Sequence, residues 1–388
     1  MKILDIREKT ISLADPMRSA AIGFDQMTVS AVAVVTDVAR DGQKVVGYGV
    51  GSIGRYGQGG LLRERFIPRL LAADPETLID AAGESLDPFR VFEALMGNEK
   101  SGGHGERPGA VGVIDMAIWD AIAKAEDAPL WNLLAEYFNP EPADPRVPVY
   151  GSGGHYHPGN GIDGLIDELT SYLDLGYRRV KIKIGAAPLA EDLARVEAAL
   201  SVVGSGDNLA VDLNGSLTAE TADEWLDALA PYGLAWIEEP VDPLDFTLQS
   251  SLAARYQGPM ASGENLFSLA DARNLIRHGG LRPDRDILQF DIALSYGLVE
   301  YLRILDMLSG QGWSRRQCIP HAGHLLALHA AAGLGLGGHE AAPDSALIYG
   351  GFPDGAAVEG GFVAPPQAPG IGFETKSNLW SILEPLGK

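Results

Sequence analysis

Over the first fifty positions apolar and polar residues alternate in KILDIREKTI, MTVSAVAVVTDV and KVVGYGVG, and the polar Arg40-Asp41-Gly42 stands between the last two. Alternation broken by a short polar turn predicts an antiparallel meander. From Leu61 to about Phe138 the period becomes helical, ending in VIDMAIWDAIAKAEDAPLWNLLA. Strands followed by helices make an α+β domain, expected over residues 1–138. A proline-rich linker, NPEPADPRVP, follows at 139–148. Beyond it short β-rich runs recur with helical stretches between them: VPVYGS (147–152), RRVKIKI (178–184), LAVDLN (209–214), LAWIEE (234–239), PMASGE (259–264), ILQFD (287–291), QCIPH (317–321) and a weaker ALIYGG (346–351). Seven or eight βα units at similar spacing predict a parallel barrel over 139–349, with a doubly wound open sheet as the runner-up. The glycine- and proline-rich stretch 350–373 opens a C-terminal segment, 350–388, expected to return to the first domain.

Composition narrows the candidates. The chain has 388 residues, 46% hydrophobic, with 30 Lys+Arg against 52 Asp+Glu and a formal net charge of -22. Such a field repels phosphate backbones and anionic lipid, so neither nucleic acid nor membrane is an expected partner. A single cysteine, Cys318, allows no intrachain disulfide. With no apolar run long enough for a signal sequence or a membrane span, a cytoplasmic location is expected. Gly333-Leu-Gly335-Leu-Gly337-Gly338 satisfies GxGxxG but follows the helical run HLLALHAAA, so it predicts a helix end and a tight turn and not a dinucleotide site.

Chemistry gathers at the ends of the β-rich runs. Asp212, Glu238 and Glu264 close three successive runs, 26 and 26 residues apart. Taken singly, a strand-end carboxylate is more often a helix cap or a surface charge. On adjacent barrel strands the three share the C-terminal rim, where barrel enzymes place their chemistry. Three clustered carboxylates cannot all ionise without a cation, and an all-oxygen set suits Mg²⁺, with Glu239 and Asn214 as second-choice ligands. In RRVKIKI, Lys181 and Lys183 share one face while Val180, Ile182 and Ile184 share the other. A solvated strand face is the plain reading. One unit before Asp212, the face can instead look into the barrel, where two ammonium groups beside a dication would each lower the other's pKa. Lys183, nearer the strand's end, is then the candidate base. Asp291 and His321 end two later runs, and the pair would fix the imidazole tautomer and raise its basicity. His324 and His329 are read as structural.

The stretches VKIKIG, VDLNG, WIEEP, SGEN, LQFD and IPH, with IDMAIWDAIAK and PLWNLL earlier, resemble the enolase superfamily and within it the mandelate racemase group. The resemblance implies a modified (β/α)7β TIM barrel behind an N-terminal α+β capping domain. It also implies abstraction of the proton α to a carboxylate and Mg²⁺ to stabilise the enediolate. Inside the group GRYGQGG (54–60), NEK with GGHGER (98–107), LQFDIALSYGL (288–298) and YGGFPDG (349–355) resemble the D-tartrate dehydratase family. By that resemblance Lys183 takes the α-proton and His321 protonates the departing β-hydroxyl. Substrate would meet Lys100, His155, Asn214, Glu340 and Ser19. Ser19, Ile53 and His155 depart from that family's residues, so the resemblance carries the reaction type further than the substrate, which is expected to be a hydroxy acid of the acid-sugar or diacid class, tartrate included. The same site could serve a racemase or epimerase. A Schiff-base aldolase would leave the carboxylates unexplained, and a mere acid-sugar binder would need no paired base and acid. A homo-oligomer is implied by the family alone.

Overall fold

The computed structural model describes residues 1–13, 27–52, 58–102, 104–139, 144–157, 159, 161–343 and 348–388; Ser19 and Ile53 lie outside them. Strands β1 (Ile3–Ser12), β2 (Thr28–Arg40) and β3 (Gln43–Val50) form the expected antiparallel sheet in the order β1-β2-β3. Asp41 and Gly42, both at positive φ, make the β2–β3 turn. Helix Arg107–Ala125 packs on this sheet and is buried over nearly its whole length. That is why its sequence is apolar all round.

In the second body the strands β4 (Val147–Gly153), β5 (Arg179–Lys183), β6 (Leu209–Asp212), β7 (Trp236–Glu238), β8 (Met260–Ser262), β9 (Ile287–Leu288) and β10 (His339–Ala341) are parallel, in the order β10-β4-β5-β6-β7-β8-β9. Helices such as Leu189–Val203 and Leu298–Ser309 lie between them. The architecture is α/β with a parallel sheet, and the antiparallel sheet suits a cap.

Two expected strands come out differently. QCIPH is not a full strand: a 3-10 turn spans Arg315–Gln317 and only Cys318 bridges Leu288. Pro320 has no N–H, so the next bond toward the chain that leads into β10 is missing. Hydrogen bonds still link this point both ways, Ile319 N–H to Leu288 O (2.9 Å) and Gly337 N–H to Cys318 O (2.9 Å). The strand expected at 346–351 falls partly outside the described residues; 348–349 is turn, and Gly350 makes a lone antiparallel bridge to His324. The strand beside β4 is β10, directly after the glycine run, with Tyr150 opposite Glu340. The glycine run itself is the expected helix end: Leu325–Leu334 stops at Gly335, whose φ is 67°.

The C-terminal segment first joins the parallel body, where β11 (Phe362–Val363) pairs antiparallel with β4. It then reaches the capping domain: Ile371 N–H donates to Asp120 (2.6 Å), and helix Ser377–Gly387 packs on β1 and β2 with Trp380 edge-on to Tyr48. No helix among the described residues is long and apolar enough to cross a membrane.

Candidate metal and proton-transfer site

Strand register places the functional side chains. Lys183 is paired with Asp212, and Asp212 with Glu238, across β5, β6 and β7. Since alternate residues share a face, Lys181 lies on the same inner side as Lys183, and Trp236 on that of Glu238. Beneath the carboxylates Tyr150, Ala210, Trp236, Ala261 and Ile319 form a small apolar layer of their own. This layer closes the inside of the sheet, with Tyr150 edge-on to Trp236 at 5.0 Å.

Asp212, Glu238 and Glu264 each present an oxygen within 4.8 Å of the others. Asp212 and Glu238 are wholly buried. Glu238 is held on all sides: Lys181 Nζ lies 2.5 Å from one oxygen, while the Trp236 indole (2.9 Å) and Gln289 amide (2.8 Å) donate to the other. Burial drives its pKa up to about 8, and the charges of Asp212 and Glu264 push the same way against the pull of Lys181. Glu239, buried alongside at a φ of 35°, is raised further by burial, Glu264 and Asp212. Glu239 Oε1 and Asn214 Oδ1 are buried there without a hydrogen-bond partner among the described residues. Crowded carboxylates, orphaned oxygens and no sulfur or nitrogen donor fit a hard divalent cation.

Lys181 and Lys183 do face the interior, and the protein's own charges, apart from any dication, raise both pKa values. Burial lowers both, and the charges around them more than reverse it: Glu238, Glu340, Tyr150 and Asp212 for Lys181, mainly Asp212 for Lys183. Repulsion between the two ammonium groups acts on Lys183 in the expected sense and is smaller than the pull of Asp212, to which Lys183 is hydrogen-bonded. Lys181 sits among Glu238 (2.5 Å), Glu340 (3.0 Å) and Asp212 (3.8 Å).

On the other flank His321 Nε2 is 3.3 Å from Glu264, and its Nδ1 is 3.1 Å from Asp291. Burial lowers the imidazole's pKa, but Glu264, the Asp291 hydrogen bond and Glu340 lift it to about 9. Asp291 lies well below the usual carboxylate range: against burial act hydrogen bonds and charge from His321 and His324. His324 caps helix Leu325–Leu334 and reaches Asp291 at 3.4 Å, so it is nearer the chemistry than a purely structural residue; His329 bonds Trp131 N–H and lies against Ile371 O.

The other anticipated residues divide. Asn214 Nδ2 spans Asp212 (3.2 Å) and Glu264 (3.4 Å). Glu340 pairs with Lys181 and accepts Ala322 N–H at 2.9 Å. His155 follows β4 half-buried, driven down to about 3 by burial and then by Lys183. Lys100 is exposed on the capping domain, and its carbonyl accepts from Arg107 at 2.9 Å. Gln289 and Trp236 were not anticipated, although each lies two residues before an anticipated carboxylate, the spacing that puts them on its face.

Taken together, these features define a class: an α/β enzyme with a carboxylate metal site at the strand ends of a parallel sheet. Residues 164–379, more than half of the chain, match the family model described as Enolase C-terminal domain-like, and the chain belongs to this family, within the enolase superfamily. It is similar to arabinonate dehydratase of Saccharolobus solfataricus, 27% identical over 82% of this chain and 81% of that protein. Among solved structures it is similar to a racemase from Streptomyces coelicolor with bound magnesium (TM-score 0.77, 26% identity, covering 97% and 99% of the two chains). It is also similar to L-talarate dehydratase from Polaromonas sp. JS666 complexed with Mg and L-glucarate (TM-score 0.75, 26% identity, 96% and 94%). Magnesium is the cofactor that the donor set and these neighbours define.

Proposed function

We propose that the chain is a magnesium-dependent hydro-lyase that dehydrates an acid sugar or hydroxy diacid, in the manner of the D-tartrate dehydratases, on a (β/α)7β barrel closed through Cys318 and β10. Asp212, Glu238 and Glu264 hold the ion. When bound, Mg²⁺ supplies positive charge for the substrate carboxylate, without which an α-proton is too weak an acid for an amine to remove. Lys183, in its neutral form, takes the α-proton. His321, charged at neutral pH and held by Asp291, gives its proton to the β-hydroxyl, which leaves as water. The enol product then tautomerises to a 2-oxo acid. Lys181 and Glu340 keep charge balanced behind the base, while Asn214 and His155 face substrate from the strand ends. Lys100 and Ser19 are assigned to substrate by family resemblance alone.

One observation carries this reading: an amine bonded to Asp212 and an imidazole 3.3 Å from Glu264 flank a single carboxylate cluster. That pair is also what a racemase needs, and one similar structure is named as such. The test is a panel of acid sugars and hydroxy diacids with Mg²⁺, scored for semicarbazide-reactive ketone, with Lys183→Ala and His321→Asn as controls. Ketone formation lost in both variants is expected. Exchange of the α-hydrogen with solvent deuterium and no ketone from any acid would overturn the dehydratase reading in favour of epimerisation.

A further inference from the structure

The Asp291 carboxylate that orients His321 is itself held from four directions. Its Oδ2 accepts from His321 Nδ1 (3.1 Å) and from the Ser52 hydroxyl (2.6 Å). Its Oδ1 accepts Leu294 N–H (3.0 Å) and faces His324 Nε2 (3.4 Å). Three of these groups belong to the parallel body. Ser52 comes from the capping domain, two residues after the end of β3, and is wholly buried. The preceding residue is tied to the sheet, since Gly51 N–H donates to Ser30 O at 2.8 Å. The hydroxyl therefore stands one residue beyond a backbone bond to the sheet.

Segment 291–298 is gripped by the capping domain at three further points. A Cβ at Gly112 would stand 2.1 Å from Ala293 O, so that approach needs glycine. Arg107 Nε donates to Tyr296 Oη (2.7 Å), and Asp115 accepts Leu298 N–H (2.6 Å). These contacts set where the segment lies; among the described residues of the cap, only Ser52 touches the carboxylate. The geometry points to Ser52 as a positioning residue, a capping-domain hydroxyl that fixes the plane of Asp291 and through it the ring of His321. The inference rests on the reading of His321 as proton donor. It makes the acid half of the site depend on the docked cap, while Lys183 and the three metal-binding carboxylates lie on or directly after β5 to β8.

The experiment uses the full chain with Mg²⁺ and ¹⁵N-labelled histidine. The Nδ1–H resonance of His321 is assigned by its loss in His321→Asn, and its exchange with water is measured. Ser52→Ala should broaden the resonance and speed exchange by about five- to tenfold, the scale of one hydrogen bond, and Ser52→Thr, which keeps the hydroxyl, should restore both. An unchanged resonance in Ser52→Ala overturns the role of Ser52 and leaves the assignment of His321 standing. So does a Ser52→Thr that matches Ser52→Ala in spectrum and unfolding temperature, because that is loss of packing. A wild-type protein with no such resonance removes the Asp291–His321 pair and the proton-donor reading together.

Discussion

Lys181 and Lys183 are one strand step apart and differ in their company. Lys181 is surrounded by three carboxylates, whereas Lys183 leans on Asp212 alone. Lys183→Ala should therefore cut kcat by about 10²- to 10⁴-fold, the range of a lost general base, with little change in the unfolding midpoint. Lys181→Ala strands Glu238 and Glu340 in the interior and should cost about 3–5 kcal/mol, read by denaturant unfolding. For His321 the sign is set by its lifted pKa of about 9. The donating form is the protonated one, so with Mg²⁺ bound, whose charge would favour the neutral form of Lys183, dehydration should lose its acid as pH climbs past about 9. A kcat/KM profile over pH 6 to 11 checks this, and an alkaline limb near the ordinary imidazole value of about 6.5 would contradict it. Much of this chemistry is legible in sequence, because charged residues at alternate positions of apolar runs have few bland explanations when several runs repeat them. Gln289 and Trp236 obey the same alternation and could have been read by it. Ser52 could not, since a serine after a strand looks like any other until its partner 239 residues away is brought to it.

Helix Leu298–Ser309 shows how elements in one body are finished by the other. It begins at Gly297, which has no side chain to cap it, and Asp115 of helix Arg107–Ala125 takes up Leu298 N–H instead. Asp115→Ala leaves a buried helix start unsatisfied and should lower stability by about 1–3 kcal/mol, with Asp115→Asn losing less because its amide oxygen can still accept. Chemical denaturation of the three proteins side by side decides it. Elements were legible where length and periodicity agreed, as in β2, β3 and the helix Arg107–Ala125. β10 escaped because three residues behind two glycines carry no period of their own. Its neighbour at 317–321 was over-read, since apolar character there reflects burial at the sheet closure and not a run of ladder hydrogen bonds.

For the whole molecule, the ion should be a structural asset as well as a chemical one. With Glu238 and Glu239 both raised by burial and then by their acidic neighbours, the folded state gains a ligand that the unfolded chain binds poorly. Magnesium at about 100 times its Kd should add about 2.7 kcal/mol of stability, seen as a rising unfolding temperature across a titration. EDTA should reverse the gain and abolish turnover, and an unfolding temperature indifferent to Mg²⁺ would count against the site. A formal charge of -22 repels anions, so an anionic substrate would need local positive charge, which bound Mg²⁺ would supply.

Helix Ser377–Gly387 covers a sheet made from the opening residues, and Arg7 bonds Leu386 O at 2.9 Å. During synthesis the sheet β1 to β3 is made before the helix that covers it, with the whole parallel body between the two in sequence. Amino-end-first maturation would leave this domain without that cover until the later helix is made. Its nascent strands must wait, unsheltered on one side, while the entire parallel body is synthesised between the two halves of their packing.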